Sequence, residues 1–169
     1  EEITVVGSQI KGASISDALS VSVIQAVEIE AMGVSSGDEL FDQMPEMGQN
    51  YFNDAEMHSG GVNAVRGDIG AFNLRNMGTG NTLVLLNGRR MVAWPTFQAQ
   101  NSVPSTFSNV NVIPTSAVQR IEVLRDGAAP LYGADAIAGV VNFVTHTSYD
   151  GLRFSGRYGW SDNTNYDES

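Results

Sequence analysis

The stretch RIEVLRDGAAPLYGADAIAGVVNFVT, residues 120–145, limits the fold more than any other part of the chain. Two runs rich in branched apolar residues, RIEVLRDG (120–127) and GVVNFVTH (139–146), read as strands. Between and beside them stand Gly127, Gly133 and Gly139 with Ala128, Ala129, Ala134, Ala136 and Ala138. With so little side chain, a tight helical turn and its flanking strands can approach where larger groups would clash. A phosphate loop is the rival use of such glycines. It requires G-x-x-x-x-G-K-[ST], or G-x-G-x-x-G at a strand-to-helix junction, and neither occurs; GTGN (78–81) contains only G-x-G and suits a hairpin turn. The small residues therefore serve packing.

The rest of the chain is organised around short elements. Residues 1–19 open with the β-branched run Ile3-Thr4-Val5-Val6-Gly7 and continue without helical periodicity, as a mobile arm. SVSVI (20–24) reads as a strand, QAVEIEAMG (25–33) as a short helix closed by Gly33, and GDELFDQM (37–44) as a second helix with Pro45 just beyond it. Residues 45–71 form a long loop. FNLRNM (72–77) and TLVLLNGRRMVAW (82–94) are expected to pair as a hairpin across GTGN, and a second polar loop covers 95–109. Pro114 opens a one- or two-turn helix before the strand at 120–127, in which Ile121 and Val123 alternate with Glu122 and Leu124. At the end, Leu152, Phe154, Tyr158 and Trp160 share one face and Arg153, Ser155 and Arg157 the other, the alternation of a barrel strand.

With 169 residues, 42% hydrophobic and 17% charged, the chain has material for one core, while 18 Gly and 5 Pro call for many turns. Nineteen acidic residues against nine basic ones give a net charge of −10, which repels a phosphate backbone, so no nucleic-acid partner is expected. There is no cysteine, hence no disulfide framework or thiolate metal site. No apolar run reaches the ~20 residues of a membrane helix, and EEITVVGSQI lacks the basic flank of a signal peptide, so any targeting segment has been removed or lies upstream.

NTLVLLNGRRM (81–91), NVIPTSAVQRIEVLRDGAAPLYGADAIAGVVNFVT (111–145) and the opening EEITVVGSQI closely resemble the plug domain of TonB-dependent outer-membrane receptors. The resemblance runs in the family's order over nearly the whole chain. It implies an α+β fold: a small mixed β-sheet of about four strands wrapped by short helices and long loops, seated inside a large β-barrel. It further implies a division into an N-terminal arm (1–19), a plug (20–149) and the start of the first barrel strand (150–169). One strand cannot close a cylinder, which takes roughly eight. The implied partners are the protein's own C-terminal barrel, TonB, and a small-molecule or oligosaccharide ligand. The implied place is the outer membrane of a Gram-negative bacterium, with the N-terminus periplasmic. The implied role is active uptake of a siderophore, vitamin or carbohydrate, with no enzymatic activity and no cofactor. The alternative is a soluble periplasmic binding or secretin-like interaction module built on a similar sheet.

Carried onto this sequence, Ile3, Thr4, Val5, Val6 and Gly7 match the family's TonB box, and an extended β-branched arm is what strand addition to a partner's sheet edge requires. The other reading is an ordinary first strand of the plug. Arg89, Arg90, Arg120 and Arg125 flank apolar strands and need carboxylate partners if buried. The resemblance assigns Arg89 or Arg90 with Arg125 to the barrel wall; the alternatives are pairing inside the plug, to Glu122 or Asp126, or solvent exposure. Tyr51, Phe52, Trp94 and Phe97 lie in or beside the two long loops with Asn50, Asn53, Gln98, Gln100 and Asn101 nearby, a set suited to stacking and directed hydrogen bonds on a sugar or aromatic chelate. Tyr51, Phe52, Trp94, Phe97 and Gln98 are thus the candidate ligand residues; equally, the aromatics can anchor the loops. The overall acidity weighs against an anionic ligand. Asp54-x-Glu56-x-His58 has metal-ligand residue types but reads as a solvated acidic loop, His146 stands at a strand end, and no G-x-S-x-G elbow or other catalytic set is present.

Overall fold

A computed structural model of the chain describes residues 21–34, 37–48, 70–95, 98–100, 103–125, 129–148 and 150–151. The candidate box at 3–7, the loop residues Tyr51, Phe52, Asp54, Glu56, His58 and Phe97, Asp126 and Gly127, and the strand expected at 152–160 lie outside these.

Strand β1 (Val21–Gln25) runs directly into α1 (Ala26–Met32). The junction is fixed by a capping box: the Gln25 backbone N–H donates to Glu28 Oε2 at 2.7 Å, placing the acidic side chain in the dipole-favoured first turn. Gly33 ends the helix at φ 68, as its sequence position implies. After α2 (Gly37–Asp42), strands β2 (Thr82–Leu86) and β3 (Arg89–Arg90) form a hairpin, and β4 (Gln98–Gln100) and β5 (Val103–Ser105) form a second. Strand β6 (Val118–Leu124), helix α3 (Ala129–Tyr132) and strand β7 (Gly139–Thr145) follow. The main sheet has the order β1-β6-β7-β2-β3. Only β2 and β7 are parallel; every other pair is antiparallel, so the sheet is mixed. The α+β expectation holds, with a two-residue β3 as the fifth strand.

Both faces of the sheet are covered. Ile121, Val123, Val84, Val141 and Phe143 pack under Ile29 of α1, Leu40 and Phe41 of α2, and Phe72. On the other face Leu83, Leu85, Leu124 and Val140 meet Ala136 and Tyr132. Strand β6 therefore has a solid buried run, Ile121 to Leu124, instead of a wet face and a dry one.

Three sequence expectations are corrected. FNLRNM (72–77) does not pair with 82–94. It forms a single bridge, Met47 to Leu74, and Arg75 and Asn76 take φ values of 54 and 56 that no extended strand allows. Side chains occupy the backbone groups a ladder would need: Leu74 N–H donates to Thr82 Oγ1 at 3.2 Å and Gly78 N–H to Asn73 Oδ1 at 2.7 Å. Second, the hairpin lies inside 82–94, turning at Asn87-Gly88, whose φ values of 51 and 77 are the positive pair that a two-residue β-turn of matching twist requires. GTGN is instead part of a 3-10 turn, Thr79–Asn81, feeding β2. Third, the polar stretch 95–109 contains the β4–β5 hairpin. The helix expected after Pro114 is one 3-10 turn, Thr115–Ala117, with Pro114 as its cap.

The small-residue stretch acts as the sequence implies at Gly139. There φ is 145, and an added Cβ would stand 2.5 Å from the Leu124 carbonyl oxygen. Gly88 has open space around its Cβ position and carries only the left-handed constraint. Gly139→Ala is thus expected to cost about 3 kcal/mol and Gly88→Ala about 1 kcal/mol, measured by urea unfolding; equal losses would show that the clash at Leu124 is relieved elsewhere.

Candidate ligand groove and its buried support

The β2–β3 hairpin forms one wall of an open groove of about 840 Å³. Leu86, Met91, Val92, Trp94, Pro95 and Val112 give it an apolar surface, and Asn87, Arg89, Arg90 and Asn109 supply its polar groups. Val92 is 88% exposed and Val112 57%, more than packing within the chain explains. Among the described residues that line the groove there is no carboxylate, although the chain carries 19 acidic residues.

The floor is held by backbone bonds. Trp94 N–H donates to the Phe107 carbonyl at 2.7 Å, and the indole packs against Ala71 and Phe107. Asn109 is 3% exposed, and its Oδ1 accepts from the N–H groups of Gly70 at 3.0 Å and Asn111 at 3.1 Å. Trp94 thus both anchors the loop and lines the groove, two roles that sequence reasoning had set against each other. Gln98 lies in β4, and Phe97, Tyr51 and Phe52 lie outside the described residues.

Behind the hairpin runs a polar network. Glu122 is fully buried in β6; its Oε1 accepts from Arg120 Nε at 2.8 Å and its Oε2 from Asn142 Nδ2 at 3.0 Å. Asn142 Oδ1 accepts the Gly88 N–H at 2.9 Å. At the same turn Asn87 N–H donates to the Phe143 carbonyl at 2.8 Å, Asn87 Nδ2 to Thr145 Oγ1 at 3.0 Å, and Thr145 N–H to Asn87 Oδ1 at 2.9 Å. A buried carboxylate without such donors would be severely destabilising. Sequence reasoning missed Asn87 and Asn142; the Asn-Gly dipeptide was the available signal.

The strand arginines find partners within the chain. Arg120 takes Glu122, as one alternative supposed; Arg125 Nη1 reaches Glu46 Oε1 at 2.9 Å, from 79 residues away. Arg90 pairs with Asp135 and donates to the Tyr132 carbonyl, whereas Arg89 lies exposed in β3. Among the described residues no group of three His, Asp or Glu side chains is placed to hold a metal ion.

Residues 14–140 match the TonB-dependent receptor plug domain model. The chain belongs to that family. The plug is 30% identical over 126 residues, 75% of its length, to the vitamin B12 transporter BtuB of Vibrio vulnificus, covering 17% of that protein. It is 38% identical over 97 residues, 53% of its length, to the ferric enterobactin receptor PirA of Pseudomonas aeruginosa, covering 12% of it. The crystal structure of the siderophore receptor PirA from Acinetobacter baumannii aligns over 80% of the plug and 18% of the receptor, with a TM-score of 0.56 and 26% identity. The plug spans less than a fifth of the relatives it matches.

The two kinds of ion pair differ in burial, which sets their weight. Arg120→Met should cost about 3 kcal/mol by leaving Glu122 buried with one donor fewer, while Arg90→Met, whose pair is half-exposed, should cost under about 1 kcal/mol. Thermal unfolding of the two variants side by side checks the order.

Proposed function

We propose that this plug is the gate and ligand sensor of an outer-membrane receptor that takes up a nutrient such as a siderophore, vitamin or carbohydrate. The observation that carries the reading is the groove: exposed apolar side chains at Val92 and Val112 above a floor fixed by Trp94 and Asn109. A preformed apolar surface with a few directed polar groups suits a small ligand. The relatives support it: one is named a vitamin B12 transporter, one a ferric enterobactin receptor and one, from Vibrio cholerae, an iron-regulated outer membrane virulence protein. No such relative favours a soluble periplasmic module. The reading assigns no catalytic role.

Residues 1–19 serve as the arm, 20–149 as the plug and 150–169 as the start of the barrel, whose lumen encloses the plug with the N-terminus in the periplasm. In this arrangement Arg89, Arg90 and Arg125 are assigned to the barrel wall, Arg90 and Arg125 while keeping their pairs with Asp135 and Glu46, and Tyr51, Phe52, Trp94, Phe97 and Gln98 are assigned to the ligand. Ligand in the groove biases the order of the arm and frees Ile3, Thr4, Val5, Val6 and Gly7 to add a strand to TonB. Force on the arm then shifts part of the plug and opens a path.

Deleting residues 1–8 from the full receptor is expected to abolish uptake while ligand binding persists; uptake at the normal rate would refute the arm's role. Val92→Asp, at a side chain that contributes little to the core, is expected to weaken binding of the co-purified ligand about tenfold with unfolding unchanged, as titration on the purified receptor would record.

A further inference from the structure

The geometry points to Asn87 as a latent deamidation site, kept unreactive by the turn that holds it. Asn-Gly is the dipeptide in which this chemistry meets least steric resistance, because Gly has no side chain to shield its nitrogen. The Gly88 nitrogen attacks Asn87 Cγ; a C–N bond forms, the Cγ–Nδ2 bond breaks, and ammonia leaves with the proton lost from Gly88. Water then opens the resulting succinimide at either carbonyl, giving aspartate or isoaspartate at position 87.

Each participant is occupied in the native hairpin. The Gly88 N–H is donated to Asn142 Oδ1 at 2.9 Å, so the attacking nitrogen is engaged with β7. The Asn87 amide is held from both ends by Thr145, which accepts from Nδ2 and whose N–H donates to Oδ1. Asn87 N–H is itself tied to the Phe143 carbonyl. Ring closure requires the Asn87 side chain to swing toward Gly88, which breaks both Thr145 bonds and the Asn142 bond together. The reaction therefore proceeds from a locally opened hairpin, and its rate reports how often β2–β3 leaves the end of β7.

The product would disable the groove. Isoaspartate adds a methylene to the main chain of a two-residue turn whose register, Leu86 with Arg89 and Leu85 with Arg90, has no room for it. Either product adds a carboxylate, beside Arg89 and Arg90, to a lining that has none among the described residues.

The test uses the purified full receptor, incubated at mildly alkaline pH, with conversion at Asn87 followed by peptide mass spectrometry and isoaspartyl assay. A synthetic peptide of residues 84–91 supplies the unprotected rate. The receptor is expected to react at least about a hundredfold more slowly than the peptide. Thr145→Val, which removes the hydroxyl acceptor, and Asn142→Ala, which removes the Gly88 partner, should each speed conversion about tenfold or more. Thr145→Val keeps the test valid if Asn142→Ala does not fold. Conversion of the unaltered receptor at the peptide rate, or no acceleration in a folded Thr145→Val receptor, would overturn the assignment.

Discussion

The constraint on which this structure rests is a carboxylate buried in its middle. Glu122 lies on β6, the strand between β1 and β7, with no exposure to solvent. Desolvating an ionised group there costs several kcal/mol unless donors are positioned for it. Arg120 two residues earlier on the same strand, and Asn142 directly opposite on β7, are those donors. A one-residue slip of β6 against β7 would separate Glu122 from Asn142 and turn the carboxylate into the opposite, apolar face. The network thus fixes register as well as charge. Through Asn142 and Gly88 it also fixes the hairpin, and with the hairpin one wall of the groove.

The strands are unequal in burial. Strands β6, β7 and β2 have both faces covered, whereas β1 is an edge strand with no fully buried residue, bonded to β6 alone. Local opening is easiest where buried contacts are fewest. Strand β1 has fewer buried side chains than its only neighbour β6, so it opens before β6 does. At the other edge, β3 has only two residues, and its position depends on side-chain bonds from Asn87 and Asn142 across the turn. The groove hairpin and β1 therefore sit at opposite edges of the sheet, with the Glu122 network between them.

Much of this fold was legible in the residues, and the exceptions have physical causes. The helix 26–32 with its Gly33 stop, and the strands on either side of the small-residue stretch, follow from periodicity and capping alone. The misplaced hairpin arose because FNLRNM has strand-like apolar spacing while Asn73 and Thr82 divert its backbone groups, a tertiary effect with no local signature. Asn87-Gly88 carried the better signal, hidden inside an apolar run that reads as one long strand. The burial of Glu122 has no local signature: the cover of Ala136 and Tyr132 over Leu83, Leu124 and Val140 makes that face of the sheet dry. The Arg125 partner, Glu46, is 79 residues away, beyond the neighbouring acids that local reading considers. Among the candidate ligand residues, Trp94 was identifiable as an aromatic beside a polar loop, but its groove is assembled from β2, β3 and the 109–112 segment.

The account stands on this polypeptide being the stopper of a much larger receptor. The direct measurement is the mass of the native protein that carries this sequence, detected by an antibody to the plug in separated outer-membrane and periplasmic fractions. A species several times larger than the 18.1 kDa of these 169 residues, confined to the outer membrane, is the predicted result. A species near 18.1 kDa found free in the periplasm would contradict it.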